Sequence, residues 1–390
     1  MDYLKQPLFF KIKKVLRYVL MYGIRRTYIK VIGQLHMRKK YDKLPSSNNK
    51  ITRRQIVGII GCGNYSFSNI SYYLNSTYGK VIAACMDINI DRAASMASYY
   101  KIPFYTSNSK DIITNNHIEL IYIASNHASH TDYAIEALTN GKNVYIEKPH
   151  VVSEEQLFKL INAMEKSVGK VFLGFNRPGS RFGKIIKEYL DKETGAGMYN
   201  WFVAGHAIDL DHWYFMPEEG GRVLGNLCHW TDFILNLVSQ KKTYPIKIYP
   251  TRSGKSDCDI VVTYTFGDDT IAVVSFSAKG HTFEGVKEVF SAHKGNCLIT
   301  MDNFKTMTIE VSDIKRCYYN LFRDHGHKKN ILSAFKNVLK NLPYNHSEQM
   351  SYIWNTGWLF LKTKEALEQN KVIMIHSFEE RNLDLGDYQT

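Results

Sequence analysis

The 390-residue chain lacks the patterns that would thread it through a membrane or build it around a structural metal. No apolar run approaches the roughly 18 residues a bilayer crossing needs, and the N-terminus has no uninterrupted apolar core of the kind a signal peptide carries. Cysteine is sparse: Cys62, Cys85, Cys228, Cys258, Cys297 and Cys317 are scattered, without a CxxC pair or a histidine at zinc-finger spacing. That argues against structural zinc and a disulfide framework and fits reduced thiols in a cytoplasm; no metal site is expected. Acid is almost missing from the first 54 residues, where Asp2 and Asp42 face 15 Lys and Arg. The whole chain holds 50 basic and 37 acidic residues, so the remainder balances at 35 of each. The net charge of +13 therefore belongs to a tail. No basic patch continues into the body, so nucleic acid is not an expected partner.

The tail has its own pattern. Between Pro7 and Lys40, Ile12, Val15, Leu16 and Val19 recur at helical spacing while Lys11, Lys14 and Arg17 lie largely off that stripe. This predicts a short basic amphipathic helix, interrupted near Gly23. Two readings stand: an interfacial helix held to anionic lipid on the inner face of the membrane, or an arm packed on the body or a second subunit. The polar stretch Leu44 to Lys50 reads as a linker, giving residues 1–50 as an N-terminal extension.

The body begins at Gln55–Ser66, QIVGIIGCGNYS. Its short β-branched run suits a strand buried on both faces. Gly61 allows a tight strand-to-helix turn, and Gly63 lets backbone amides of the turn, with Asn64 and Tyr65, approach a pyrophosphate at a helix N-terminus. Ser66 stands at the third glycine position, so the fingerprint is imperfect. A second strand, Lys80 to Met86, delivers Asp87 near the interval at which a carboxylate meets the adenosine ribose. Such a carboxylate repels the extra phosphate of NADP, and the expected cofactor is NAD rather than NADP. Strands near Phe104, at Leu120–Ala124 and at Asn143–Ile146 then alternate with helices, the last helix opened by a Ser153/Gln156 capping box. This predicts a doubly wound parallel sheet over 51–170, with Gly61, Asn126 and Lys148 at strand ends where ligands gather. The rest, 171–390, reads as an α/β domain with long alternating strands at Ile260–Phe266 and Ile271–Ala278, the mark of a largely antiparallel open sheet.

The motifs GIIGCGNYS, IASNHASH, YIEKPHVVS, GFNRPGSRF, GGRVLGNLCHWTDF and RDHGH, in this order, resemble the Gfo/Idh/MocA oxidoreductase family. The resemblance implies an N-terminal Rossmann domain, a second domain that holds substrate and often forms an oligomer interface (a homodimer or tetramer), and oxidation or reduction of a sugar or cyclitol carbon with NAD or NADP. The stretch AGHAIDLDHWYFMPEEGGRVLGNLCHW is similar to members from surface-polysaccharide and nucleotide-sugar pathways. By the same resemblance Lys148 contacts the reacting hydroxyl, and Ser125, Asn126, His130 and Glu147 belong to the cofactor side. His229 matches the histidine of the second-domain motif and is the second acid/base candidate.

The chain departs from that pattern where many members carry an acid upstream of the histidine. Here those positions are Gly225 and Asn226, leaving Lys148 and His229 alone or His229 oriented by Asp211 or Asp232. Substrate contacts are expected from Asn176, Arg177 and Arg222, since a guanidinium can grip a carboxylate or phosphate, or can equally form a structural ion pair. Asp211 and His212 sit beside Trp213 in a loop that offers a carboxylate for sugar hydroxyls, or that simply folds on its own aromatic residues. Rival readings are a dinucleotide-binding scaffold that lost catalysis, and an enzyme that keeps NAD bound through a redox-neutral cycle.

Overall fold

The computed structural model describes residues 6–47, 50–206, 208–209, 211–238, 243–252, 259–280 and 285–377. The chain forms two compact units, one of residues 24–175 and 327–354, the other of residues 1–23, 176–326 and 355–390. They differ from the contiguous segments 1–50, 51–170 and 171–390 expected above. The tail divides at Gly23, and a late segment returns to the first unit.

The first unit is built on six parallel strands: β1 (Val57–Ile60), β2 (Ile82–Met86), β3 (Phe104–Thr106), β4 (Leu120–Ile123), β5 (Asn143–Ile146) and β6 (Val171–Leu173), in the order β3-β2-β1-β4-β5-β6. All four residues of β1 and all five of β2 are buried, as strands covered on both faces must be. The order reverses beside β1, so the ends of β1 and β4 form the switch point at which this topology binds ligands. The tail contributes two helices, α1 (Leu8–Tyr22) and α2 (Ile24–His36). Ile29 of α2 joins the core cluster of β1 and β2, as do Ile331 and Phe335 of the late helix His327–Leu339. The 1–50 segment is therefore no loose extension at α2, because a helix with an apolar face completes the sheet's cover.

The second unit holds nine strands: β7 (Gly197–Ala204), β8 (Ile246–Arg252), β9 (Asp259–Thr265), β10 (Ile271–Ser277), β11 (Lys287–Lys294), β12 (Cys297–Asp302), β13 (Thr306–Val311), β14 (Ile314–Tyr319) and β15 (Ile373–Ile375). Their order is β14-β13-β12-β11-β7-β10-β9-β8-β15, antiparallel throughout except for the parallel pair β7/β10. Alternate residues of β7 are buried, Trp201 packing on Phe290 of β11 and on Phe233 of the helix Cys228–Leu237. The opposite face stays open. Phe202 and Val289 are paired across it, and two rows on Met198, Ile271 and Leu298 are exposed, with the polar row of Asn200, Ser291 and Thr300 between. β14 escapes sequence reading because its IKRCYY is an exposed edge with no burial alternation.

Candidate functional site

In the first unit the turn after β1 is shaped by what surrounds it. Gly61 has φ +89°, and a Cβ there would come within 2.5 Å of the Ala124 carbonyl oxygen, so only glycine fits. A Cβ at Gly63 would meet nothing within 4 Å, leaving open the side of the turn from which a pyrophosphate approaches. Asp87 closes the turn from β2: its Oδ2 accepts from the Cys62 N–H at 2.8 Å and its Oδ1 from the Asn89 N–H at 2.9 Å. Each oxygen keeps a further lone pair for a ribose hydroxyl. The open glycine, the helix start at Asn64 and Tyr65 and the carboxylate at Asp87 together fit a dinucleotide.

Sequence reading missed what backs this turn. His36, the last residue of α2, is buried, with Nε2 2.8 Å from the Cys62 carbonyl oxygen and Nδ1 2.9 Å from the Ser95 hydroxyl. Its ring stacks on Phe67, centroids 4.3 Å apart. A carbonyl only accepts, so Nε2 carries the proton and Nδ1 accepts from Ser95. Burial holds the His36 pKa below the usual histidine value, in keeping with that neutral ring. Arg26 of the same helix donates to the Asn69 side chain at 2.7 Å and to the Ser68 carbonyl. Ser68 and Asn69 belong to the π-helical stretch Ser66–Ser71 that follows the turn. Arg92, also unforeseen, stands near enough that its positive charge pulls the pKa of both His36 and Cys62 downward.

The ends of β4 and β5 lie next to each other in the sheet. Asn126 is exposed there, and Ser129 ties it to Ser125 through hydroxyl contacts of 2.6 and 2.7 Å. Lys148 is half-buried at the end of β5. Two neighbours expected on the cofactor are turned inward instead. Glu147 is buried, accepting from the Lys148 N–H at 3.1 Å, the Tyr145 hydroxyl at 3.4 Å and the Tyr65 hydroxyl. Burial lifts its pKa above the usual carboxylate value. Gly174 makes room for it, since a Cβ there would lie 2.6 Å from Oε1. His130 is buried with Nδ1 2.8 Å from the Pro149 oxygen and Nε2 3.2 Å from the Ser125 oxygen. Burial drives its pKa down to about 4. Glu147 is thus tied to the Lys148 backbone and to the tyrosines behind it, while the neutral His130 ring, packed between the two strand ends, donates to one of its two carbonyl neighbours.

In the second unit Arg177 is not available to grip an anion. Its Nε and Nη2 bind the two oxygens of Glu288, each at 2.7 Å, a buried fork that Trp230 Nε1 joins at 2.9 Å. The expectation of a substrate contact is corrected: Glu288 on β11 claims the guanidinium. Asn176 is buried too, donating to the His325 carbonyl at 2.5 Å. His229 is buried near the start of the helix Cys228–Leu237, and Arg222 is buried over the Phe215 ring at 5.6 Å. Asp211 and His212 are exposed. His212 Nδ1 accepts from the Tyr214 N–H at 3.3 Å, and its ring lies 5.5 Å from that of Trp213, so this loop does fold on its own aromatic residues. At Gly225, where a carboxylate was missed, the Tyr214 phenol occupies the volume a Cβ would take.

A family model described as an oxidoreductase family with an NAD-binding Rossmann fold matches residues 56–175. The matching model is that of the Gfo/Idh/MocA oxidoreductases, and it covers the Rossmann part of the chain alone. Among relatives, this chain is 34% identical over 137 residues to Oxidoreductase P35 of Formosa agariphila, covering 35% of this chain and 43% of that one. It is 25% identical over 223 residues to the inositol 2-dehydrogenase of Ralstonia nicotianae, covering 54% and 63%. The chain thus spans less than two thirds of the length of these two relatives. Of solved structures, a levoglucosan dehydrogenase in complex with NADH and levoglucosan superposes with a TM-score of 0.68 at 15% identity, over 82% of this chain and 98% of that one. That likeness carries the fold.

Proposed function

We propose that this oxidoreductase moves a hydride between a nicotinamide and a secondary alcohol of a sugar or cyclitol, with NAD as the working cofactor. The observation that carries the reading is the turn Gly61–Tyr65 with its open side at Gly63 and Asp87 beneath it. When bound there, NAD supplies the hydride acceptor. Gly63, Asn64 and Tyr65 would meet the pyrophosphate, Asp87 the ribose, and Ser125 and Asn126 the nicotinamide side. Lys148 takes the hydroxyl proton and His229 is the second acid/base group. The relatives' printed names, an inositol dehydrogenase and a levoglucosan dehydrogenase, support a polyol substrate. A nucleotide-linked or uronic sugar of a surface-polysaccharide route is the narrower form of the proposal. With Arg177 committed to Glu288, it rests on Arg222 and on the resemblance of the stretch from Ala204 to Trp230. The open face of the nine-stranded sheet, where Phe202, Val289, Met198, Ile271 and Leu298 are exposed, supports a homo-oligomer, and the scattered thiols a cytoplasmic enzyme.

The test is reduced-nicotinamide formation when the purified protein meets NAD or NADP and a panel of inositols, free sugars, sugar acids and nucleotide sugars, with Lys148→Ala beside it. Turnover with NAD that falls at least about a thousandfold in the variant establishes the reading. Measurable NAD binding without turnover on any substrate overturns it. A preference for NADP would assign Arg92 to the extra phosphate.

A further inference from the structure

We infer that α1 is a docking element for an anionic lipid surface. The helix exposes Leu8 (71%), Phe9 (68%), Ile12 (49%), Leu16 (59%) and Leu20 (65%). At 100° per residue these fall, with Val15, within a sector of roughly 140°. Lys11 borders the sector on one side and Lys13 and Arg17 on the other, and the helix contains no acid. Its opposite side is tied down within its own unit. The Arg323 N–H donates to the Met21 carbonyl at 2.8 Å, the Arg323 guanidinium reaches the Tyr22 hydroxyl and lies 5.0 Å from its ring, and Met21 is buried. Gly23 has no Cβ to push against the Phe322 ring. The stripe is thus not an arm seeking its own body; it is held facing outward by a docked inner side.

Two occupants compete for such a face, a lipid surface and a second copy of the chain. Pairing of two copies through this face would bring Lys13 and Arg17 of each against the same cations of the other, with no acid on the helix to offset them. An anionic lipid surface satisfies both halves of the pattern, taking the leucines and Phe9 into its acyl boundary and the flanking cations at its headgroups. Among the described residues no helix is long and apolar enough to cross a membrane, so the helix lies in the interface.

The experiment is co-sedimentation of the full-length protein with vesicles of phosphatidylcholine alone and of phosphatidylcholine with phosphatidylglycerol at three to one. The wild type should bind the anionic vesicles at least about tenfold more tightly, and added salt should weaken that binding. Leu16→Asp/Leu20→Asp and, separately, Lys13→Glu/Arg17→Glu should each lose it by about tenfold or more. Both double variants should keep the wild-type thermal unfolding and NAD binding, since the altered side chains are exposed. The inference is overturned if the wild type stays in the supernatant with both vesicles, or if the variants bind as it does. It is also overturned if Leu16→Asp/Leu20→Asp splits an oligomer in sedimentation velocity while vesicle binding is absent, which would give the face to a second copy.

Discussion

His36 on α2 and Cys62 in the glycine turn, 26 residues apart in sequence, are joined by a 2.8 Å contact from imidazole Nε2 to carbonyl oxygen. A residue of the N-terminal segment thereby holds one side of the turn while Asp87 holds the Cys62 N–H on the other. His36→Ala should loosen the turn and raise the Kd for NAD about tenfold, or about 1.4 kcal/mol. Gln at this position, able to donate to the same carbonyl, should recover part of it. Calorimetric titration with NAD at constant pH checks both, and an unchanged Kd in the alanine variant would reduce His36 to a packing residue.

Arg177 and Glu288 form a buried fork, and breaking one side strands the other charge. Arg177→Met should destabilise the protein by about 3–5 kcal/mol in urea unfolding. Arg177→Met/Glu288→Leu should cost less than the single change, because no uncompensated carboxylate remains. Were Arg177 instead a substrate contact, the single variant would unfold like the wild type and show only a raised KM.

Restoring a carboxylate at Gly225 should fail for a steric reason. The Tyr214 phenol already fills the space of a Cβ there, so Gly225→Asp is expected to lower Tm by several degrees, in line with the 1–3 kcal/mol typical of overpacking. Gly225→Asp/Tyr214→Ala should regain much of that loss. A single variant as stable as the wild type would mean that the loop carrying Tyr214 yields.

His130 and His150 are the buried histidines shifted furthest, and with His36, lowered in the same direction, they set a pH dependence. Burial, against weaker opposing backbone hydrogen bonds, holds His130 down to about 4 and His150 down to about 3. In the unfolded chain each titrates near about 6.5. Below that value the unfolded state binds protons the native state refuses, so stability falls as pH drops through about 6.5 and goes on falling until about 4 and about 3 are passed. Tm measured from neutral pH downward should decline accordingly, and His130→Asn should show a shallower decline. A Tm flat to about pH 4.5 would contradict the burial of both rings.

Much of the fold was legible because its signals are local. A β-branched run ending in GCGN can pack in few ways, and strand-helix alternation with Asp87 at the expected interval points to a parallel sheet. What stayed hidden depends on partners far along the chain. Nothing around Arg177 in sequence reveals Glu288, 111 residues later. Nothing in EKP shows whether Glu147 turns toward a ligand or into Tyr145 and Tyr65. The tail's helical spacing was readable, yet not that α2 would bury His36 against the turn while α1 kept its leucines outward.

By itself the sequence determined the Rossmann sheet, the turn that can take a dinucleotide and the charge confined to the tail, while Lys148 became a candidate through the family resemblance of its motif. The first three follow from periodicity, glycine spacing and composition, which act over a few residues. Only the tertiary structure decided which polar side chains are consumed as ties, as Arg177 is by Glu288. Burial and pairing are properties of what packs against a residue, and a buried charge or imidazole takes the nearest partner whatever its motif suggests.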